Sequence, residues 1–135
     1  MAKKKITPSP KTTVKEIDQT INLKNSIVEG MQEKKAHEIV TLDLTDIENT
    51  IASYFIICHA ESKPHVQAIA DSVLEMAYKL TGQEPAHKEG IENAEWILLD
   101  YFDIIVHIFI KEKREFFKLE RLWGDAHIQT MAGNY

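Results

Sequence analysis

The amino-acid sequence predicts a single α/β domain in which helices pack on a mixed β-sheet of about five strands. Its 135 residues suffice for one hydrophobic core and are few for two. Apolar residues recur at helical spacing in three segments and form shorter, strand-like runs elsewhere. The order is helix, two strands, helix, extended piece, hairpin and helix. The central helix therefore connects strands as a crossover, whereas the later strands pair as a hairpin.

The first helix is predicted to begin near residue 13, because Thr13 and Glu16 form a capping box. Its end is predicted near Lys34. Four apolar residues would share its buried face, namely Ile17, Ile21, Val28 and Met31.

Two strands follow this helix. Glu38–Leu44 alternates apolar and polar residues, which is typical of a half-buried strand. Tyr54–Cys58 is continuously apolar and rich in aromatic and branched residues, so it is predicted to be a buried central strand. The polar segment between them, 46–52, is predicted to be irregular.

The second helix has clear boundaries. Ser62 is a favourable N-cap, Pro64 falls in the first turn, and Gly82 stands where helices commonly end. Its apolar residues repeat at helical spacing and predict one buried face, formed by Val66, Ile69, Ala70, Val73, Leu74, Ala77 and Leu80.

The last third of the chain predicts an extended piece around Glu84–Lys88 and then a hairpin. Its strands, Glu95–Tyr101 and Ile104–Phe109, are separated only by Phe102 and Asp103. A helix should start near Lys111, and its apolar side would hold Phe116, Leu119 and Trp123. Residues 127–135 are predicted to be loosely ordered.

Charge is distributed unevenly along the chain. Residues 1–15 contain five lysines and no acidic residue. We predict that residues 1–12 form a disordered basic tail and that the folded domain spans residues 13–126. Residues 16–135 carry a net charge of −10. Such a body is a poor general nucleic-acid binder and suits a basic partner protein.

Nothing in the sequence indicates secretion or a membrane. It has no apolar run of membrane-spanning length and no apolar signal-peptide core. The single cysteine, Cys58, excludes an internal disulfide and is expected to be buried. We therefore expect a cytoplasmic protein without a membrane partner.

The first hairpin strand is apolar on both faces. Trp96, Leu98 and Asp100 share one face, whereas Ile97, Leu99 and Tyr101 share the other. An edge hairpin needs only one apolar face, so either helices cover both or one face awaits a partner. Phe102 at the tip is hard to bury, and an exposed aromatic beside a carboxylate is typical of an interface.

Asp100 and Asp103 leave three interpretations open: catalysis or Mg²⁺ binding, a role in the turn, and pairing with a basic partner. Phosphate chemistry would require a glycine-rich loop or cationic clamps, and His59-Ala60-Glu61-Ser62 after the central strand contains no glycine. The six histidines lack zinc-ligand spacing. We therefore expect no catalytic residue, no metal and no cofactor.

Several segments together resemble a known family. The hairpin Trp96–Phe109 reads W-I-L-L-D-Y-F-D-I-I-V-H-I-F and is followed by R-E-F-F-K-L-E-R-L-W-G-D-A. D-L-T-D-I-E-N-T-I-A-S-Y-F-I-I-C and H-V-Q-A-I-A-D-S-V extend the match upstream. These segments closely resemble the Iojap-like ribosomal silencing factors over roughly residues 16–126.

The resemblance implies a protein without enzymatic activity that binds the large ribosomal subunit. Its contact would be the fourteenth protein of that subunit, on the face that meets the small subunit. Occupying this face would block subunit joining and lower translation when nutrients are scarce. The resemblance also implies a nucleotidyltransferase-like fold without the active site, and a homodimer away from the ribosome.

Carried over by position, the resemblance assigns partner binding to the hairpin. The site then comprises Trp96, Leu98, Leu99, Asp100, Tyr101, Phe102 and Asp103. This chain departs from the family at Phe102, where glycine is usual, and at 59–62, where a glycine-containing loop is usual. Two other hypotheses remain, namely a nucleotide-handling enzyme that uses Mg²⁺ and a structural dimer whose hairpin is buried against its own copy.

Overall fold

A computed structural model describes residues 14–47, 52–117 and 127–130. Helices and strands alternate along the chain much as the sequence predicts. In order they are α1 (Val14–Glu33), β1 (His37–Asp43), β2 (Tyr54–Ala60), α2 (Lys63–Thr81), β3 (His87–Glu89), β4 (Trp96–Asp100), β5 (Ile104–Ile110), α3 (Lys111–Phe117) and β6 (His127–Thr130).

The strands form one mixed sheet in the order β3-β4-β5-β2-β1-β6. β2 and β5 are parallel neighbours at its centre, and the other four pairings are antiparallel. The single-domain α/β fold with a mixed sheet is therefore confirmed, as are the predicted hairpin and the buried central strand.

One face of the sheet lies under α1 and α2. These helices contact each other closely at Gly30, whose Cα lies so near the backbone of Ser72 and Val73 that an added Cβ would approach the Ser72 carbonyl oxygen to 2.9 Å. The Ser72 hydroxyl donates a 2.7 Å hydrogen bond to the Gly30 carbonyl. The helix pair covers the larger of two apolar clusters, which includes Ile27 and Ile69.

The opposite face of the sheet carries a second, smaller apolar cluster. Its centre is formed by side chains of β1, β2 and β5, such as Leu42, Phe55 and Phe109, while Trp96 and Leu98 of β4 pack against its margin. At the end of β2, the buried Arg114 of α3 donates to the carbonyl of Glu38 at 2.8 Å and contacts His59 Nδ1 at 3.0 Å. This face positions the candidate site.

The predicted buried face of α1 is only half correct. Val28 and Met31 are buried, but Ile17 and Ile21 are each 38% exposed. Leu23 and Ile27 are buried instead. The helix contacts α2 mainly through its second half, so the residues that pack there define the buried stripe.

The prediction of a loosely ordered segment 127–135 is wrong for His127–Thr130. These residues form β6, which pairs antiparallel with Val40–Asp43 of β1. Backbone hydrogen bonds to an available strand edge stabilise this pairing, and four residues give too short a pattern to reveal it from sequence.

Other predictions lie outside the described residues. They concern the basic tail 1–12 and the positions of Leu119 and Trp123 in the last helix. None of the helices that the structure describes is both long enough and apolar enough to span a membrane.

Candidate functional site

The β4–β5 hairpin forms the framework of the candidate site. The two strands pair antiparallel, so that Trp96 lies opposite Phe109, Leu98 opposite His107 and Asp100 opposite Ile105. On its other side β4 pairs with the short strand β3. β4 is therefore held along both edges at Leu98–Asp100, and its side chains can meet a partner only at its two faces.

The two faces of β4 differ in exposure. Ile97 and Leu99 are fully buried, and they belong to the cluster beneath α1 and α2. Trp96, Leu98 and Asp100 alternate with them and are each half-buried on the opposite face. The open face of the hairpin is thus the one that carries the tryptophan and the carboxylate.

Trp96 is held in place from β5. Its indole Nε1–H donates a 3.0 Å hydrogen bond to Nδ1 of His107. The ring stacks on Phe109 with a centroid separation of 5.1 Å and an interplanar angle of 28°. A directional hydrogen bond and a stacking contact therefore help to fix the aromatic ring at the open face.

The hairpin tip is a tight turn with an unusual backbone conformation. The Asp103 N–H bonds the Tyr101 carbonyl at 3.0 Å, which closes a three-residue turn around Phe102. Phe102 itself has φ of +74°, a value that costs little only for glycine. Its ring is 64% exposed. The Asp100 carboxylate supports this turn by accepting a 2.8 Å bond from the Phe102 N–H.

Asp103 connects the tip to the first helix and to β2. The Thr20 hydroxyl of α1 approaches its carboxylate at 3.4 Å. Its carbonyl accepts from the N–H groups of Ser53 at 2.8 Å and Tyr54 at 3.1 Å. The tip is thereby fixed to two other elements, so Phe102 projects from a supported turn.

The seven predicted partner-binding residues do not form one surface. Leu99 is fully buried and Tyr101 is 5% exposed, because their side chains point beneath the helices. In this conformation these two side chains support the site from the core, and their contact with a partner stays a prediction. The residues of the hairpin that keep exposed surface are Trp96, Leu98, Asp100, Phe102 and Asp103, called the hairpin surface below.

Sequence reasoning missed two residues next to this surface. Thr20 was not singled out, and no sequence signal links it to Asp103. His107 entered only as one of six histidines without zinc-ligand spacing. The predicted hairpin already contained the missing signal, since pairing Tyr101 with Ile104 places His107 diagonally beside Trp96.

The end of β2 and the loop that follows it have structural roles. The Ser62 side chain caps α2 by accepting from the N–H of His65 at 3.2 Å. Burial and the nearby Arg114 guanidinium lower the pKa of His59 to about 4, which keeps it neutral at pH 7. Burial raises the pKa of the Cys58 thiol to about 12, so it is not an activated nucleophile. Within 14–47, 52–117 and 127–130, no three His, Cys, Asp or Glu residues are grouped to hold a metal ion.

Comparison with protein families gives a match over most of the chain. Residues 17–134 match the family described as "Ribosomal silencing factor during starvation". A protein of Halalkalibacterium halodurans named "Ribosomal silencing factor RsfS" is 41% identical over 106 residues, which are 78% of this chain and 89% of that protein.

More distant proteins and solved structures agree with this match. A crystal structure of a Chromobacterium violaceum protein superposes with a TM-score of 0.70 at 27% identity, covering 83% of this chain and 92% of the other. A mouse protein named "Mitochondrial assembly of ribosomal large subunit protein 1" is 26% identical over 99 residues, which are 72% of this chain and 43% of the mouse protein.

Proposed function

This chain belongs to the ribosomal silencing factor family, and we propose that it binds the large ribosomal subunit and sterically prevents the small subunit from joining. The hairpin surface is the proposed contact. Binding alone would suffice for this effect, so the proposed activity is regulatory and requires no catalytic residue or cofactor.

The observation that carries the proposal is the open face of β4. A half-buried tryptophan and leucine lie beside a carboxylate, and an exposed phenylalanine projects from the adjoining tip. Aromatic residues surrounded by polar groups are enriched at the centres of protein interfaces. β4 pairs with β5 along its length and with β3 over Leu98–Asp100, so a partner at this face would contact side chains.

Charge favours a basic partner. Residues 16–135 carry a net charge of −10, and Asp100 and Asp103 flank Phe102 at the tip. One Asp100 oxygen accepts from the Phe102 N–H, and a carboxylate has a second oxygen that can accept from an arginine or lysine. Ribosomal proteins that contact RNA carry such cationic side chains, so the hairpin surface is complementary to them.

Family membership supports the partner that we propose. The printed name of the mouse relative refers to the ribosomal large subunit, which supports assigning this chain to that subunit. Within it we propose the fourteenth protein, at the face that meets the small subunit. The proposal places the chain in the cytoplasm as a homodimer when it is not bound, and makes it a repressor of translation when nutrients are limiting.

Sedimentation of purified ribosomal subunits tests this function. The two subunits are mixed under conditions that favour joining, with and without the protein, and separated on a sucrose gradient. We expect the protein to migrate with the large subunit and the joined peak to decrease. A protein that stays at the top of the gradient while joining proceeds would contradict the proposal.

Matched variants locate the contact. Trp96→Ala should weaken large-subunit binding by roughly 2 kcal/mol or more if Trp96 is a central interface residue. Phe102→Ala is compared with Tyr78→Ala, because both replace exposed aromatic residues, 64% and 58% exposed respectively. Only the tip variant should lose binding. Equal losses from the two would remove the hairpin surface from the proposal.

A further inference from the structure

We propose that His107 is a positioning residue for partner binding: it holds the Trp96 indole in the orientation that the partner recognises. This inference rests on the proposed function of the hairpin surface. His107 is buried in β5 at 4% exposure, beneath the side chains of the open face, so a partner would not contact it directly. It would therefore act only through the tryptophan.

The hydrogen bond between the two rings fixes the state of the histidine. An indole Nε1–H is a donor only, so Nδ1 of His107 must be the acceptor in the 3.0 Å contact. The imidazole proton therefore resides on Nε2. Burial lowers the pKa of His107 to about 4, so the ring stays neutral and Nδ1 remains an acceptor at physiological pH.

This arrangement leaves a polar group unsatisfied in the interior. His107 Nε2 is buried without a hydrogen-bond partner in the part of the chain that the structure describes. A buried N–H without an acceptor destabilises a fold, and an apolar side chain at the same position would avoid that cost. The imidazole supplies one group that an apolar residue cannot, namely the acceptor for Trp96.

The bond restricts a motion that stacking permits. The indole lies against Phe109 in a stacked contact, and a stacked ring can turn over while keeping its contact area. The bond to Nδ1 directs the Nε1 edge toward β5 and selects one of these orientations. A preordered anchor loses less conformational freedom when a partner binds, so its affinity is higher.

Two substitutions of His107 separate its acceptor from its ring. His107→Leu and His107→Asn both replace the imidazole by a smaller branched side chain, but only asparagine offers an oxygen near the position of Nδ1. Affinity is measured with purified large ribosomal subunits. We expect His107→Leu to bind roughly three- to tenfold more weakly, as the loss of one hydrogen bond implies, and His107→Asn to restore most of that affinity.

A spectroscopic signal reports the bond without any partner. In ¹⁵N-labelled protein the Trp96 indole N–H should show a hydrogen-bonded shift and slow exchange, and Trp96→Phe distinguishes it from Trp123. His107→Leu should move this signal and speed its exchange, whereas His107→Asn should not. In the Trp96→Phe background, His107→Leu should cause little further loss of affinity, because the bond is already absent.

The outcomes separate this inference from the proposed function. Suppose that the wild type binds and that Trp96→Ala weakens binding. If His107→Leu then binds like the wild type, His107 does not position the tryptophan, and the proposed role of the hairpin surface is unaffected. Equal losses from His107→Leu and His107→Asn, with an unchanged indole signal, would also overturn the inference. A wild-type protein that fails to bind would overturn the proposed function and, with it, the role assigned to the bond. If His107→Leu does not fold, His107→Asn decides the question: a changed indole signal with wild-type affinity, or an unchanged signal with weaker affinity, would overturn the inference.

Discussion

The Asp100 carboxylate accepts a 2.8 Å hydrogen bond from the backbone N–H of Phe102, so the same side chain shapes the hairpin tip and carries charge to its surface. Two substitutions divide these roles. Asp100→Asn keeps an oxygen acceptor for the turn but removes the charge. We expect its stability to change little and its affinity for the large subunit to fall, with a weaker dependence on salt.

Asp100→Ala removes both roles. The loss of the turn bond should lower the free energy of unfolding by roughly 1 kcal/mol, in addition to weakening binding. Urea denaturation followed by circular dichroism measures the first effect, and binding at two salt concentrations measures the second. If the asparagine and alanine variants were equally destabilised, the oxygen of residue 100 would not support the turn.

Phe102 has a positive φ of +74°, which is strained for a residue with a side chain. Phe102→Gly should relieve about 1–2 kcal/mol of backbone strain. The greater conformational freedom of glycine in the unfolded chain should offset roughly 0.5–1 kcal/mol of this gain. Phe102→Ala keeps the strain. We therefore expect the glycine variant to be more stable than the alanine variant, whereas at most positions alanine gives the more stable protein.

Both Phe102 variants lack the exposed ring, so both should bind the large subunit more weakly than the wild type. Thermal unfolding of the three proteins, together with subunit binding, separates strain from contact. A glycine variant that binds as tightly as the wild type would show that the ring is not part of the interface, whatever its stability.

The sequence predicted the framework of the site because local patterns define it. Two apolar runs separated by Phe102 and Asp103 specify a hairpin, and the register of that hairpin follows from its short connection. The boundaries of α2 were predicted from Ser62 and Gly82, which cap it in the structure. Such features depend on neighbouring residues, so one sequence suffices to show them.

The exposure of each face of β4 could not be predicted in this way. Both faces are mainly apolar, and the choice depends on where α1 and α2 pack, which involves residues far apart in the chain. The same reason explains the burial of Leu99 and Tyr101 and the error over Ile17 and Ile21 in α1. Tertiary packing, absent from local patterns, decides all of these.

The stability of the fold should fall as the pH falls through the range in which the unfolded chain binds a proton at His107. Burial lowers the pKa of this residue from 6.5 to about 4. Between these values the unfolded chain holds a proton that the folded chain lacks, so acid favours unfolding. On account of His107, the free energy of unfolding should be roughly 3 kcal/mol lower near pH 4 than above pH 6.5.

Urea denaturation from pH 7.5 to pH 4.5 measures this dependence in the wild type and in His107→Leu. Other groups, including His59 with its lowered pKa, titrate in both proteins and cancel in the difference. Below pH 6, the free energy of unfolding of His107→Leu should therefore fall by up to about 1.4 kcal/mol less per pH unit than that of the wild type. Parallel curves for the two proteins would contradict the assigned burial of a neutral histidine.

Gly30 makes the contact between α1 and α2 possible, and its replacement should test the helix packing. An added Cβ would lie 2.9 Å from both the carbonyl oxygen of Ser72 and the Cα of Val73. Both atoms belong to the backbone and cannot rotate away. Gly30→Ala should therefore destabilise the protein by about 1–3 kcal/mol, although alanine normally favours a helix over glycine. The control is Glu29→Ala on the exposed side of α1, expected to change stability by no more than about 0.5 kcal/mol. Chemical denaturation of the two variants decides the sign, and a Gly30→Ala protein more stable than the wild type would contradict the close helix contact.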